Sequence, residues 1–318
     1  MGELVTLGEA MAVTRVSGIG PPSPGAAATL SYAGAEATVA IGVARLGHRA
    51  TWLGRLGRDA AADMILTSLR GEGVDVSRTV RDDDRPTGQM TRHRRTADRV
   101  VVAYHRKDGA GVRLSPGDVA AEAISSADVL HLTGITPALG PGPAAAVERA
   151  LAVAGQAGVP VSFDVNYRAL LWPPEQAGEV LRRLTGRAEV VFAGLEEARL
   201  VVNGPPAGDD PAVLARLLLE LGPREVVIKL GSEGAYVTDG DEALRVPARQ
   251  VTEVDPVGAG DAFVAGYLAG RLDGLGLAGR AELGVTCGAF AVATWGDWEG
   301  LPRRRELDLL AAGDGVVR

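Results

Sequence analysis

A short segment around residue 258 combines small residues with a carboxylate in a pattern that can do chemistry. Gly258, Ala259 and Gly260 precede Asp261, and an apolar stretch with helical spacing follows. The free N–H groups at a helix start bind anionic oxygens, and small side chains would let a phosphate approach that backbone. A carboxylate beside such a site can take a proton from a hydroxyl group. The segment therefore indicates phosphoryl transfer with Asp261 as general base; simple helix capping by Asp261 is the alternative.

Residues 255–261 resemble the signature of ribokinase-like (phosphofructokinase-B type) sugar kinases. Residues 34–40 resemble the sugar-binding loop of that family, 131–136 and 164–168 resemble later strand ends, and 229–234 resemble the nucleotide loop. The resemblance implies an ATP-dependent kinase that phosphorylates the terminal hydroxyl of a keto or acid sugar. The acceptor it implies is 2-keto-3-deoxygluconate, with fructose, ribose and 5-dehydro-2-deoxygluconate as alternatives. A non-catalytic sugar-binding regulator is the alternative of another class.

The resemblance also implies roles for individual residues. On the sugar side it implies contacts from Gly34, Ala35, Thr38, Met90, Tyr104, Arg106, Arg168 and Asp297. On the ATP side it implies contacts from Asn166, Lys229, Gly231, Ser232 and Gly234, although a plain hairpin turn is the alternative for 231–234 because 235–238 reads as another strand. It implies that Glu197 organises Mg²⁺ through water, a solvated helix face being the alternative, and that Asp255 shapes its loop or holds a monovalent cation such as K⁺.

Two arginines favour an acidic sugar. Guanidinium groups bind carboxylates through two parallel hydrogen bonds, which would account for Arg168 after a predicted strand and Arg106 in a predicted lid; surface salt bridges are the alternative. Three positions depart from the family pattern. Thr38 stands where asparagine is usual, Met90 where tyrosine is usual, and Gly194 where asparagine or serine is usual. A hydroxyl cannot replace both the donor and the acceptor of an amide, so the pattern specifies the reaction more closely than the sugar.

The second half of the chain alternates short apolar runs with helical patterns. We predict strands at 129–132, 159–163, 190–192 and 226–230. This alternation predicts βαβ units and a doubly wound α/β fold, in which a mainly parallel sheet is flanked by helices. Gly134, 164–168, Glu197 and Gly231 follow predicted strands, at the sheet edge where such folds bind ligands. In the first half we predict helices over 36–46 and 60–70.

Four other segments alternate polar and apolar residues: 11–16, 29–33, 89–95 and 99–106. They predict a small antiparallel sheet that projects from the main domain. The resemblance implies that this sheet, built from segments near 11–33 and 86–107, is a lid over the sugar and supplies a homodimer surface. The basic residues at 92–95 lack interleaved aromatic side chains, so we expect a solvated lid edge or dimer rim rather than a nucleic-acid site. We expect 1–318 to form one kinase domain.

Composition limits the remaining classes of function. The chain has 318 residues, of which 46% are hydrophobic, and its net charge of −7 argues against a surface that binds nucleic acid or an anionic membrane. No apolar run approaches the roughly 20 residues that span a bilayer, and we expect a cytoplasmic protein. The single cysteine, Cys287, predicts a buried thiol. Gly274, Gly276 and Gly279 have dinucleotide-motif spacing but follow a predicted helix rather than a strand, and no P-loop sequence is present.

Overall fold

Long apolar runs in the middle of the chain form strands that are covered on both faces. The computed structural model describes residues 1–96, 99–203 and 209–310; residues 97–98, 204–208 and 311–318, which the single-domain prediction includes, lie outside the described residues. The strands are β1 (Glu3–Leu7), β2 (Met11–Ile19), β3 (Ala28–Ala33), β4 (Arg49–Leu53), β5 (Arg55–Gly57), β6 (Val74–Asp75), β7 (Val80–Asp82), β8 (Gln89–Thr96), β9 (Arg99–His105), β10 (Val129–Thr133), β11 (Val161–Asp164), β12 (Val190–Gly194), β13 (Glu225–Lys229), β14 (Ala235–Thr238) and β15 (Ala243–Val246).

Two of the helices that flank these strands, α1 and α2, begin and end within one residue of the predicted positions. They are α1 (Ala35–Arg45), α2 (Ala60–Gly71), α3 (Ala121–Ser125), α4 (Ile135–Ala138), α5 (Pro141–Ala157), α6 (Pro174–Thr185), α7 (Leu195–Val202), α8 (Pro211–Leu219), α9 (Ala259–Leu272) and α10 (Leu277–Val292). Asp59 caps α2 by accepting a hydrogen bond from the Ala62 amide. Within the described ranges, no helix is both long enough and apolar enough to cross a bilayer.

The large sheet has nine strands in the order β15-β14-β13-β12-β11-β10-β1-β4-β6. Its strands run parallel except at the β13–β14 and β14–β15 pairs, which are antiparallel. Alternate residues of β12 show the two covered faces: Val190 and Phe192 pack in one apolar cluster, whereas Val191 and Ala193 pack in the other. The predicted doubly wound α/β fold is confirmed. The direction of winding changes between β1 and β10, so a ligand crevice is expected at their carboxyl ends.

A separate four-stranded sheet has the order β3-β2-β8-β9, as predicted for a small sheet outside the main one. The prediction of a purely antiparallel sheet is wrong, because the central strands β2 and β8 are parallel. Parallel neighbours need a long crossover, and here the chain passes through α1, α2 and four strands of the main body between β3 and β8. Cys287 is buried as predicted, and burial raises the pKa of its thiol to about 12.

Candidate active site

A cleft of about 880 Å³ lies between the carboxyl edge of the large sheet and the inner face of the small sheet. Its lining includes every residue predicted on the sugar side: Gly34, Ala35, Thr38, Met90, Tyr104, Arg106, Arg168 and Asp297. Gly258 and Asp261 also line it. The residues predicted on the ATP side lie outside this lining, at the ends of β11 and β13. The fold therefore brings the sugar-side set together and places Asp261 at its boundary with the other set.

Asp261 lies in the first turn of α9, where its carboxylate faces the cleft. Its Oδ1 accepts a hydrogen bond of 3.2 Å from the side-chain amide of Asn166. Burial raises the pKa of Asp261, while the charges of Arg168 and Lys229 and the Asn166 hydrogen bond oppose that rise. Among the described residues, Asp261 receives no hydrogen bond from an amide of its own turn. The arrangement thus lacks the interaction that defines helix capping.

The turn before α9 is shaped by contacts within the chain. Gly258 has a φ of 78°, and a Cβ at this position would lie 2.1 Å from the carbonyl oxygen of Asp297. A Cβ at Gly260 would make only an ordinary contact, 3.6 Å from Lys229 Nζ. Left-handed backbone and close packing thus give a second reason for glycine at position 258, besides the predicted approach of a phosphate. Ala259 is the first residue of the helix.

Lys229 is held at the sheet edge by a buried carboxylate. Its Nζ donates hydrogen bonds of 2.8 Å to both oxygens of Asp164, which ends β11. Burial opposes the charge of Lys229, but Asp164 and Glu197 more than compensate and raise its pKa. Burial also raises the pKa of Asp164 to about 6, with Lys229 opposing the rise. Asp164 was not singled out for a role in the sequence, although it fixes one of the residues that was.

The predicted nucleotide loop is a short turn between β13 and β14. Gly231 and Ser232 are exposed within a 3₁₀ turn, Gly231–Glu233. Gly234 has a φ of 98°, and a Cβ there would lie 1.9 Å from the carbonyl oxygen of Val246 in β15. The plain hairpin turn, which was the alternative for these residues, is thus present. The same turn exposes the backbone of residues 231 and 232. Position 234 therefore needs glycine because the backbone of β15 packs directly against it.

Glu197 joins two backbone segments. Its carboxylate accepts hydrogen bonds from the Tyr167 amide at 2.9 Å and from the Gly194 amide at 2.7 Å. The solvated-face alternative does not describe this half-buried side chain. The parts of the chain that the structure covers contain no group of three or more acidic, histidine or cysteine side chains arranged to hold a metal ion. A site that holds Mg²⁺ only together with substrate phosphates needs no such group, because Mg²⁺ keeps several waters and uses one or two carboxylates.

Two buried glutamates lie near the carboxyl ends of β1 and β10, where the direction of winding changes. The sequence analysis did not predict a role for either of them. Glu36 is 1% exposed, and its Oε1 accepts hydrogen bonds of 2.7 Å from the hydroxyls of Thr133 and Thr136. Glu9 follows β1 and forms an ion pair with Arg106. Burial raises the pKa of both carboxyls, that of Glu9 to about 7 despite the opposing charge of Arg106. The available signal was an acidic residue inside the otherwise small and apolar pattern of 34–43.

Arg92 corrects the prediction of a solvated lid edge. It is 4% exposed, and its guanidinium forms an ion pair with Asp255 and a hydrogen bond of 3.4 Å to Asp297. Burial raises the pKa of Asp297 to about 7, and Arg92 opposes the rise. Along β8, Arg92 shares the inward face with Met90, whereas Arg95 is exposed. Because its carboxylate already has a guanidinium partner, Asp255 does not fit the predicted role of holding a monovalent cation.

The two arginines predicted to bind a sugar carboxylate differ in their partners. Arg168 is exposed at the cleft, and no hydrogen bond or ion pair engages its guanidinium within residues 1–96, 99–203 and 209–310. Arg106 lies 5.6 Å from the ring centre of Tyr104 and is paired with Glu9, but its Nε has no hydrogen-bond partner among the described residues. The whole guanidinium of Arg168 is therefore available to a ligand, whereas Arg106 has its Nε–H available beside its ion pair with Glu9.

Comparisons with known proteins show what the chain as a whole is similar to. The family model of pfkB family carbohydrate kinases matches residues 1–304. The 2-dehydro-3-deoxygluconokinase of Bacillus subtilis (strain 168) is 37% identical over 309 residues, which cover 96% of this chain and 94% of that protein. The crystal structure of 2-dehydro-3-deoxygluconokinase from Thermotoga maritima has a TM-score of 0.87 and 26% identity, with 98% of each chain covered. Ribokinase II from E. coli in complex with ATP and Mg²⁺ has a TM-score of 0.89 and 25% identity, with 98% and 99% covered.

Proposed function

Because the chain belongs to the pfkB family of carbohydrate kinases, we propose that it transfers the γ-phosphoryl group of ATP to the terminal hydroxyl of 2-keto-3-deoxygluconate, also called 2-dehydro-3-deoxygluconate. The observation that carries this proposal is the pairing of two groups on one cleft. Asp261 stands at an anion-binding helix start, and Arg168 presents an unpaired guanidinium. Asp261 would take the proton from a hydroxyl that attacks phosphate, and Arg168 would bind a carboxylate on the same small molecule.

Asp261 acts as the general base. It accepts the proton of the attacking hydroxyl while the new oxygen–phosphorus bond forms and the bond between the β,γ-bridging oxygen and the γ-phosphorus breaks, which releases ADP. Burial makes this carboxylate a stronger base than an exposed aspartate, and the Asn166 hydrogen bond orients it. The amides of 258–261 at the positive end of α9 stabilise the transferred charge. No protein nucleophile is needed, since phosphoryl transfer depends mainly on positioning and charge stabilisation.

ATP is proposed to lie along the ends of β11, β12 and β13. Lys229 supplies the positive charge nearest the turn at Gly260, and the exposed amides of Gly231 and Ser232 are available to the nucleotide. Magnesium would neutralise the phosphates and reach Glu197 through water. The E. coli protein of the same fold was crystallised with ATP and Mg²⁺, which supports these two as cofactors.

An acidic sugar is proposed because the cleft carries arginines that the reaction itself does not use. A neutral sugar would leave the Arg168 guanidinium unpaired, whereas a carboxylate would accept two parallel hydrogen bonds from it. Arg106 would contribute through its free Nε. The similarity to 2-dehydro-3-deoxygluconokinases supports the choice of 2-keto-3-deoxygluconate among acidic sugars.

The small sheet is proposed to act as a lid and to provide a homodimer surface. Its inner face lines the cleft through Met11, Met90 and Val102. Other apolar side chains of the sheet are exposed, with Ile19 at 67% and Leu30 at 70%. Sedimentation of the purified protein tests the dimer. A monomer at micromolar concentration would contradict it.

The substrate proposal is tested by ADP release with a panel of sugars at equal concentration. We expect the highest kcat/KM for 2-keto-3-deoxygluconate, lower values for 5-dehydro-2-deoxygluconate, and the lowest for fructose and ribose. A preference for fructose or ribose would reject the acid sugar and leave the kinase reaction in place. ADP release with none of the sugars, from folded protein, would contradict the catalytic proposal.

A further inference from the structure

Arg92 connects the small sheet to both loops that flank the anion-binding turn. It projects from β8 and reaches Asp255, three residues before Gly258, and Asp297, whose carbonyl oxygen packs against Gly258. These partners lie 163 and 205 residues further along the chain. One guanidinium therefore holds the small sheet, the loop before α9 and the loop after α10 in a single contact.

The carboxylate of Asp255 is enclosed. Its exposed fraction is 0%, and besides Arg92 it accepts hydrogen bonds from the Val257 amide at 3.3 Å and the Gly296 amide at 3.4 Å. Burying a carboxylate is costly unless a positive partner or hydrogen bonds replace its hydration. Within the described ranges, Arg92 is the basic side chain paired with Asp255. The position where the family resemblance implies a monovalent cation thus already contains a positive charge.

A potassium ion could not share this carboxylate without cost. Potassium needs several oxygen atoms around it, whereas a guanidinium presents only N–H donors and carries a charge of the same sign. The guanidinium also makes directional hydrogen bonds to two carboxylates, which a spherical ion does not. Arg92 therefore fits the charge requirement of Asp255 and adds a fixed geometry to the loop that ends at Gly258.

We propose that the Arg92 guanidinium is the built-in counter-cation of the Asp255 loop, and that the kinase consequently works without a monovalent metal ion. The expected independence from monovalent ions rests on the proposed phosphoryl transfer. The role of Arg92 as counter-cation rests on its contacts with Asp255 and Asp297. Arg92 is a positioning residue: it acts on the reaction through the amides of 258–261, whose orientation depends on the loops that it joins.

The first test uses the wild-type enzyme and does not depend on any substitution. Turnover is measured in KCl and in tetramethylammonium chloride at equal ionic strength, with ATP as its tetramethylammonium salt. Product is followed directly by ³¹P NMR, because a coupling enzyme with its own K⁺ requirement would confuse the result. We expect kcat values that agree within about twofold. Activation by K⁺ of about tenfold or more overturns the proposal.

The second test asks whether removing the internal charge creates a site for an external one. In tetramethylammonium chloride, Arg92→Gln should lose about tenfold or more in kcat, and K⁺ or guanidinium chloride should restore part of it. Arg92→Lys keeps a positive charge beside Asp255, so its activity should not depend on the cation that is present. Arg95→Gln is the matched control, because Arg95 lies on the same strand but is exposed. Its kcat should equal that of the wild type in each salt.

Melting temperature supplies a readout that needs no sugar. We expect K⁺ to raise the Tm of Arg92→Gln and to leave the wild-type Tm unchanged relative to tetramethylammonium. A folded Arg92→Gln that keeps full kcat without K⁺ overturns the proposal, as does a loss that no cation restores. If Arg92→Gln does not fold in any salt, the wild-type and Arg92→Lys results decide. A wild-type enzyme that is active but requires K⁺ rejects this inference alone, whereas one that phosphorylates no sugar rejects the proposed function.

Discussion

Asn166 donates its side-chain amide to Asp261 Oδ1 at 3.2 Å, and it does so from a left-handed backbone with a φ of 39°. This conformation is uncommon for residues with a side chain, and asparagine is among the few that tolerate it. The hydrogen bond joins the loop after β11 to the first turn of α9. Among the described residues, Asp261 Oδ2 has no hydrogen-bond partner, so we expect this oxygen to take the proton of the sugar hydroxyl.

Replacing Asp261 by asparagine should remove the base and preserve the shape of the site. We expect Asp261→Asn to lower kcat by a factor on the order of 10² to 10⁴, the usual contribution of general acid–base catalysis. Binding of ATP and sugar, measured by calorimetry, should change little. Asp63→Asn is the matched control, since Asp63 occupies the first turn of α2 on the exposed surface. A folded Asp261→Asn enzyme with the kcat of the wild type would rule out the base.

Removing Arg168 should affect acidic and neutral sugars differently. Charge-assisted hydrogen bonds contribute about 1.5 to 3 kcal/mol, so Arg168→Ala should lower kcat/KM for 2-keto-3-deoxygluconate by roughly ten- to a hundredfold or more. The value for fructose should fall much less. Arg149→Ala serves as control, because Arg149 is an exposed arginine of α5 away from the cleft. Equal losses for both sugars would contradict the carboxylate contact.

Glu9 should make the stability of the protein depend on pH. Burial raises its pKa from 4.5 to about 7 in the folded state, so the folded protein retains a proton that the unfolded chain releases. Its contribution to the free energy of unfolding is therefore complete below about pH 4.5 and is lost as the pH rises through about 7. Urea titrations between these pH values should show a smaller decline for Glu9→Gln than for the wild type.

Other buried carboxyls contribute to the same decline, so the informative quantity is the difference between the two proteins. Glu179→Gln, a change on the exposed face of α6, should keep the wild-type slope. Parallel curves for Glu9→Gln and the wild type would show that the pKa of Glu9 is not raised in the folded protein.

Sugar binding should order the small sheet. A lid must close to exclude water from phosphoryl transfer, and Arg92 already anchors β8 to the main body. We therefore expect amide hydrogen exchange to slow on addition of sugar with a non-hydrolysable ATP analogue, more in β9 than in β8. Exchange in α5, which lies outside the cleft lining, provides the internal control. Identical exchange in β9 with and without ligands would contradict closure.

The sequence by itself determined the elements and the chemistry of the central turn. Apolar runs and helical periodicity predicted the parallel sheet, α1 and α2, because burial on two faces or on one face leaves a direct pattern in the residues. Gly258 to Asp261 are adjacent in the chain, so their local arrangement was also predictable. The separate small sheet followed from alternation along its strands, although alternation could not tell a parallel pair from an antiparallel one.

Only the tertiary structure decided which charged groups meet. Alternation in β8 places Arg92 and Arg95 on opposite faces, but it does not say which face is covered by loops more than 160 residues away. The same limit hid Glu9 and Glu36 near the carboxyl ends of β1 and β10. Ion pairs such as Arg92 with Asp255 depend on how distant segments pack against each other. A sequence read segment by segment carries no record of those distances.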